Sequence, residues 1–242
     1  MRYQLVESEA PAEPDADGVT RRRLFDAATG CSTFSQRILE ISAGRAAERV
    51  DEASDEVLYV LDGEATIEVA GESHAAAPGT AVFVARGTVW SAHVPERLKL
   101  LSVLVHEPEE AGATHAVVDL GAAGMQGATA GRSFTLGTTP DDGCESVTQF
   151  IGFIPPGRAP DHFHKYDEVV YVLDGEGVLS IGGEDAPLHA GACVHLPARL
   201  VHCLANTGDD TMHVLGVFRP AGSPAEAYYP DGTLAVVPGY NA

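Results

Sequence analysis

Apolar residues fall along this chain in short runs of Val, Ile, Leu and Tyr that stop at Gly, Pro, Asp or Asn, as in Val57–Leu61, Thr66–Val69, Val169–Leu173 and Val178–Ile181. Branched and aromatic side chains fit a pleated, half-buried strand, and the punctuating residues fit tight turns, so the pattern predicts many short strands and hardly any helix. Asp174-Gly175 predicts a hairpin between Val169–Leu173 and Val178–Ile181, with Gly182-Gly183 as the next turn.

The pattern occurs twice. Residues 55–64 read Asp-Glu-Val-Leu-Tyr-Val-Leu-Asp-Gly-Glu and residues 167–176 read Asp-Glu-Val-Val-Tyr-Val-Leu-Asp-Gly-Glu, nine identities in ten at a spacing of 112. The same spacing pairs Gly71 with Gly183, Gly79 with Gly191 and Val82 with Val194; upstream a spacing of 113 pairs Gly30-Cys31 with Gly143-Cys144, Gln36 with Gln149 and Arg45 with Arg158. One residue is therefore gained or lost near 47–55. A duplicated set of short strands predicts an all-β protein of two tandem antiparallel barrels, each closing its own edges, over residues 1–118 and 119–242. The Glu-, Asp-, Ala- and Pro-rich residues 8–18 predict an extended mobile arm, the Ala- and Gly-rich residues 106–133 a connection, and the aromatic tail from Pro220 to beyond Pro238 a segment docked on a barrel.

Charge narrows the partners. Fifteen Lys plus Arg against thirty-five Asp plus Glu leave a formal charge of −20, which disfavours nucleic acid and anionic membranes; Arg21-Arg22-Arg23 is the one compact basic run. The N-terminus lacks the layout of a signal peptide, and no apolar run reaches the roughly 20 residues of a spanning helix, so a soluble, cytoplasmic protein is expected. Cys31, Cys144, Cys193 and Cys203 form no Cys-x-x-Cys pair and are expected to be reduced, structural thiols.

The candidate chemistry sits in the second copy. His162 and His164 alternate on a strand and so share a face; Glu168 joins that face if the chain stays extended, and His202 on a following strand is a fourth candidate. Neutral imidazoles and one carboxylate suit a divalent first-row metal. The order Gly157, His162, His164, Glu168, Gly175, followed by Gly191, Pro197, His202 and Asn206, resembles the two motifs of the cupin superfamily in a duplicated, bicupin form, with Arg199 standing where a Gly is common. The resemblance implies a three-His, one-Glu metal site with two open coordination positions.

In the first copy only Glu56 survives: at 112 the four positions become Val50, Glu52, Glu56 and Trp90, and at 113 the first two become Arg49 and Asp51. That barrel is expected to be structural or to take an organic ligand without metal. Around the metal, Arg199 is the candidate for holding a substrate carboxylate or phosphate, and Tyr171 and His195 are candidates for a general base, with Phe163, Cys193 and Cys203 as pocket neighbours. The resemblance implies a metal-dependent enzyme acting on a small organic molecule. A dioxygenase holding Fe(II) stands first, with an isomerase, lyase or decarboxylase using Mn, Ni or Zn as the alternative and a small-ligand-binding protein as the third. A monomer and a homodimer are both compatible with it.

Overall fold

The computed structural model describes residues 4–7, 9–15 and 18–235, and the described chain is almost entirely antiparallel strand. Three short 3-10 turns, Ala27–Thr29, Thr129–Gly131 and Pro140–Asp142, are its only helical elements. The chain divides into two compact units, one formed by Met1–Glu7, Gly124–Leu136 and Thr148–Ala242, the other by Ser8–Ala123 and Gly137–Val147. A single cut at 118/119 misses this exchange because sheet edges capture strands. Gln4–Glu7 pairs with Ala192–Leu196 in the C-terminal unit, and His115–Asp119, inside the expected connection, pairs with Thr80–Val84 in the N-terminal unit.

In the C-terminal unit a seven-stranded sheet has, at its centre, Ala192–Leu196, Asp167–Asp174, Met212–Arg219 and Thr148–Ile154, opposed by a three-stranded sheet of Glu184–His189, Glu176–Ile181 and Cys203–Asn206. Ile154, Val170, Val172, Leu179, Val194, Leu196 and Met212 are buried together. The expected hairpin across Asp174-Gly175 is a correction: Asp167–Asp174 and Glu176–Ile181 belong to different sheets, and Gly175 is the corner where the chain changes layer. Its φ of 87° and the 2.8 Å that a Cβ would leave to the Met212 Cα explain why a glycine stands there. Gly182-Gly183 does close a hairpin, between Glu176–Ile181 and Glu184–His189.

The N-terminal unit repeats the plan in a nine-stranded sheet, seven strands in one path with the hairpin Ala65–Val69 and Glu72–Ala76 branching from it, and has Leu58, Ile67, Val82, Trp90 and Leu100 in its core. The arm is not free where it is described. Glu13–Pro14 pairs with Val19–Phe25, and Asp15 holds Arg49 at 2.9 Å; residues 8, 16 and 17 of that arm lie outside the described residues. The basic run is neutralised, Arg21 and Arg23 by Glu13 and Arg22 by Glu40. The tail packs as far as Ala235, with Ala225 and Ala227 buried and Tyr228 stacked on Phe163; Pro238 lies outside the described residues. No helix is long and apolar enough to cross a membrane among the described residues.

All four cysteines are free and buried, and burial beside Asp55 pushes the Cys144 thiol up to about 12. The folded protein is expected to resist an aromatic disulfide reagent at pH 8, and the urea-unfolded chain to release four equivalents of thiol. Rapid reaction of the folded protein would contradict that burial.

Candidate metal centre

Backbone pairing builds the site. Gly157 and Asn206, and then His162 and His202, exchange backbone hydrogen bonds of 2.8–3.0 Å as antiparallel partners. This register sets the His162 and His202 rings side by side, 4.9 Å between centroids. His164, two residues on, returns to the same face, 5.1 Å from the His162 ring and 5.6 Å from that of His202. The ligand-competent atoms of the three lie within 4.8 Å of one another.

Each imidazole is oriented by a carbonyl. The Nδ1 of His162 meets the Pro160 oxygen at 3.0 Å, that of His164 meets Glu226 at 2.7 Å, and that of His202 meets Leu200 at 2.8 Å. A carbonyl can only accept, so each Nδ1 carries the proton and each Nε2 keeps a lone pair. His164 is braced further by stacking on Tyr166, itself stacked on Phe218. Burial, then mutual repulsion among the rings, holds His164 well below the ordinary imidazole range and His202 down to about 3; burial also lowers His162. All three are neutral, as metal ligation requires.

Glu168 is not within the histidine group but lines the same cavity, of about 80 Å³, with Arg132, Phe134, Phe150, Tyr166 and Val170. Gly216 makes room for it: a Cβ there would approach the Phe150 ring to 2.3 Å and the Glu168 Oε1 to 2.9 Å. Burial, helped by Asp167, pushes the Glu168 carboxyl up to about 8. A buried carboxyl without a counter-ion is costly, and a cation at the imidazoles would relieve it. The donor set and this acid together fit a divalent metal.

These shifts set a pH dependence for the metal-free chain. The imidazoles contribute stability fully above pH 6.5 and lose it as the pH falls toward about 3, whereas Glu168 contributes below 4.5 and loses it as the pH rises through about 8. Glu168→Gln in chelated protein is expected to raise the urea midpoint more at pH 8 than at pH 5. An equal shift at both would contradict the assignment.

The other expected site residues lie elsewhere. Val170 faces the cavity, so its strand neighbours Val169 and Tyr171 face away from it. His195, opposite Val169, meets Asp167 at 2.8 Å; neither Tyr171 nor His195 lines the cavity. Arg199 is exposed in a turn at φ 65°, its N–H donating to the His164 carbonyl at 2.7 Å. Gly87 does the same at φ 73°, with its N–H on Asp51 at 2.7 Å, so Arg199 is a turn residue in a glycine position. The cation in the cavity is Arg132. Its Nη2 donates to the Leu204 carbonyl and stands 4.0 Å from the Cys203 Sγ, and no carboxylate pairs with it among the described residues. Sequence spacing gave no sign of it, because it lies thirty residues before His162, in the stretch expected to connect the copies.

The first copy shows what replaces such a site. Arg49 pairs with Trp90 as His162 pairs with His202, which fixes the 113 register there. Glu56 is held on every side: Oε2 accepts from the Trp90 indole at 2.9 Å, and Oε1 accepts from Arg37 at 3.0 Å and from the Ser102 hydroxyl. The sheet ladders make Arg37 the counterpart of Phe150 and Ser102 the counterpart of Gly216. Three protein donors thus satisfy the carboxylate.

Two duplicated antiparallel barrels, one with three converging neutral imidazoles, define a double-barrel β protein with a metal-competent centre in its second half. The cupin domain model matches residues 38–104 and 150–218, and the chain belongs to that family. It is 34% identical over 67 residues to the oxalate-binding protein of Thermotoga maritima, covering 26% of this chain and 54% of that one. It spans about half the length of the curated relatives it matches. Among solved structures it superposes on a glyoxylate-induced protein of Pseudomonas aeruginosa (TM-score 0.75, 20% identity, 89% of this chain and 88% of that one). It also superposes on the oxalate decarboxylase OxdC of Bacillus subtilis (TM-score 0.73, 13% identity, 94% and 79%). Both likenesses concern the fold.

Proposed function

We propose that the C-terminal barrel binds one divalent first-row metal through His162, His164 and His202, with Glu168 as fourth protein ligand, and acts there on a small carboxylate that Arg132 orients. The carrying observation is the shared orientation of the imidazoles, whose three Nδ1 protons are all committed to backbone carbonyls, leaving three Nε2 lone pairs in one cavity. When bound, such a metal supplies Lewis acidity toward a chelating oxygen ligand and, as Fe(II), a site for dioxygen.

The chain's own residues support a small carboxylate as the substrate class. A guanidinium with no acidic partner among the described residues, beside a wall of Phe134, Phe150, Ile154 and Val170, favours one carboxylate in an otherwise dry space. About 80 Å³ is small beside the roughly 300–1,000 Å³ of drug-sized pockets, which favours a substrate of few atoms. Tyr166, with its hydroxyl held well above the ordinary phenol range by burial, stays neutral.

Decarboxylation of a short dicarboxylate or keto acid is the reaction favoured by this size and by a relative named for oxalate binding; a solved structure of OxdC is described for its Mn(II) centres. Dioxygenation by an iron form is the second reading, favoured by the three-imidazole donor set. Mn- and Fe-loaded protein, followed by membrane-inlet mass spectrometry with oxalate and other two- to four-carbon acids, tests both. Carbon dioxide release without net oxygen uptake is expected; stoichiometric uptake would replace the first reading by the second. Carboxylate binding without turnover would make the protein a binding protein. Arg132→Met is expected to retain metal and weaken carboxylate binding by roughly ten- to a hundredfold, the worth of a charge-assisted pair. Unchanged affinity would remove Arg132 from the site.

A further inference from the structure

A second group of metal-competent side chains stands in the N-terminal unit, apart from the position that the repeat equates with the C-terminal centre. Glu72, His74 and His115 offer ligand atoms that all lie within 4.8 Å of one another. Glu72 and His74 alternate along strand Glu72–Ala76 and so share a face, while His115 opens strand His115–Asp119. Among the described residues the first strand pairs only with Ala65–Val69 and the second only with Thr80–Val84, so no backbone ladder there joins the two that carry the group.

The side chains are arranged for a ligand they do not supply to one another. The His74 Nε2 is buried with no hydrogen-bond partner, and its ring meets that of His115 edge-on, 5.4 Å between centroids. The His115 Nδ1 lies 3.2 Å from the Thr114 hydroxyl, while its Nε2 lies 3.7 Å from the Glu72 Oε2. An ion pair between Glu72 and His115 would account for those two residues and leave the buried His74 nitrogen unsatisfied, which is expensive. A cation among the three satisfies all of them. At a spacing of 112 Glu72 and His74 map to Glu184 and Ala186, so the second copy lacks that histidine and the group is no remnant of the shared motif.

We propose that Glu72, His74 and His115 bind a late first-row divalent cation of the zinc class through two imidazole nitrogens and one carboxylate oxygen. Imidazole donors select against Mg and Ca, which prefer oxygen shells. The Glu72 side chain is 70% exposed and that of His115 13%, so the remaining coordination positions open toward solvent on the Glu72 side. The ion would tie the outer strand of one hairpin to the edge strand that caps Thr80–Val84, two elements that share no ladder.

The test is calorimetric titration of the full, chelated chain with Zn²⁺, in a His162→Ala/His202→Ala background that removes the C-terminal centre from the measurement. One equivalent is expected to bind, to vanish on adding His74→Ala/His115→Ala, and to find no competitor in Mg²⁺. If the background variant fails by circular dichroism to fold, the exposed change Glu72→Gln in the otherwise unaltered chain reads the same site. One class of Zn²⁺ binding should then weaken by more than about tenfold, since even outer-shell partners of a metal are worth that much. No Zn²⁺ binding by a folded background variant, binding that survives loss of both histidines, or affinities unmoved by Glu72→Gln would each overturn the proposal, and none bears on the C-terminal centre.

Discussion

Alanine at both His162 and His202 is expected to empty the C-terminal barrel of metal and to abolish whatever turnover depends on it. Removing two of three converging imidazoles leaves His164 and Glu168, too few donors for a first-row ion in competition with water. Metal affinity should fall by well over about a hundredfold, because outer-shell partners alone are worth 10- to 100-fold. The two rings each hold a carbonyl within their own strand segment, Pro160 and Leu200, so the fold should bear their loss at a cost of about 1–3 kcal/mol for each hydrogen bond. Glu168→Gln should weaken the metal without removing the imidazole cluster, and Glu56→Gln should leave it untouched. Metal counted per chain by plasma mass spectrometry checks all three, and full occupancy in the double histidine variant would refute the ligand assignment.

The second large effect belongs to the other barrel. Arg37→Met strips the charged partner from Glu56, a buried carboxylate that keeps only the Trp90 indole and the Ser102 hydroxyl. Breaking a buried pair on one side costs about 3–5 kcal/mol because the remaining charge is left uncompensated. Adding Glu56→Gln to Arg37→Met should recover most of the loss, since a neutral amide removes the unpaired charge and can still accept from the Trp90 indole through its oxygen while its nitrogen donates to the Ser102 hydroxyl oxygen. Urea midpoints of the single and double variants, read on the single Trp90, measure the coupling; equal destabilisation in both would show that Arg37 acts by packing alone.

These two barrels diverge through few residues at fixed backbone positions. The carboxylate is common to both, Glu56 and Glu168, yet one is ringed by Arg37, Ser102 and Trp90 where the other faces Phe150, Gly216 and His202. Protein donors in the first copy do what a cation is proposed to do in the second. The first barrel thereby reads as a scaffold at that position, its charge settled internally.

Much of this was legible from residue order alone. Strand alternation put His162 and His164 on one face, the duplication carried the plan to both halves, and the loss of histidines at Arg49, Asp51 and Trp90 marked the first copy as different. What escaped depended on long-range pairing. Asp174-Gly175 has the local signature of a hairpin, but the layer change at a barrel corner is decided by which strands flank it, and Glu176–Ile181 finds its partners at Glu184–His189 and Cys203–Asn206. Arg199 drew notice as a guanidinium in the second motif, at a position where a Gly is common, although its left-handed turn sends it to solvent. Arg132 stood too far away in sequence to be weighed. Tyr171 was a candidate through its nearness to Glu168 in sequence, but it stands an odd number of positions from both Glu168 and Val170 and so lies on the opposite face of the strand.

The most direct measurement is an anomalous difference map at the cobalt edge, from crystals of the full chain loaded with Co²⁺. The account predicts a peak about 2.0–2.2 Å from the Nε2 atoms of His162, His164 and His202, with the Glu168 carboxylate turned onto it. Loaded crystals with the three rings in place and no density between them would contradict it.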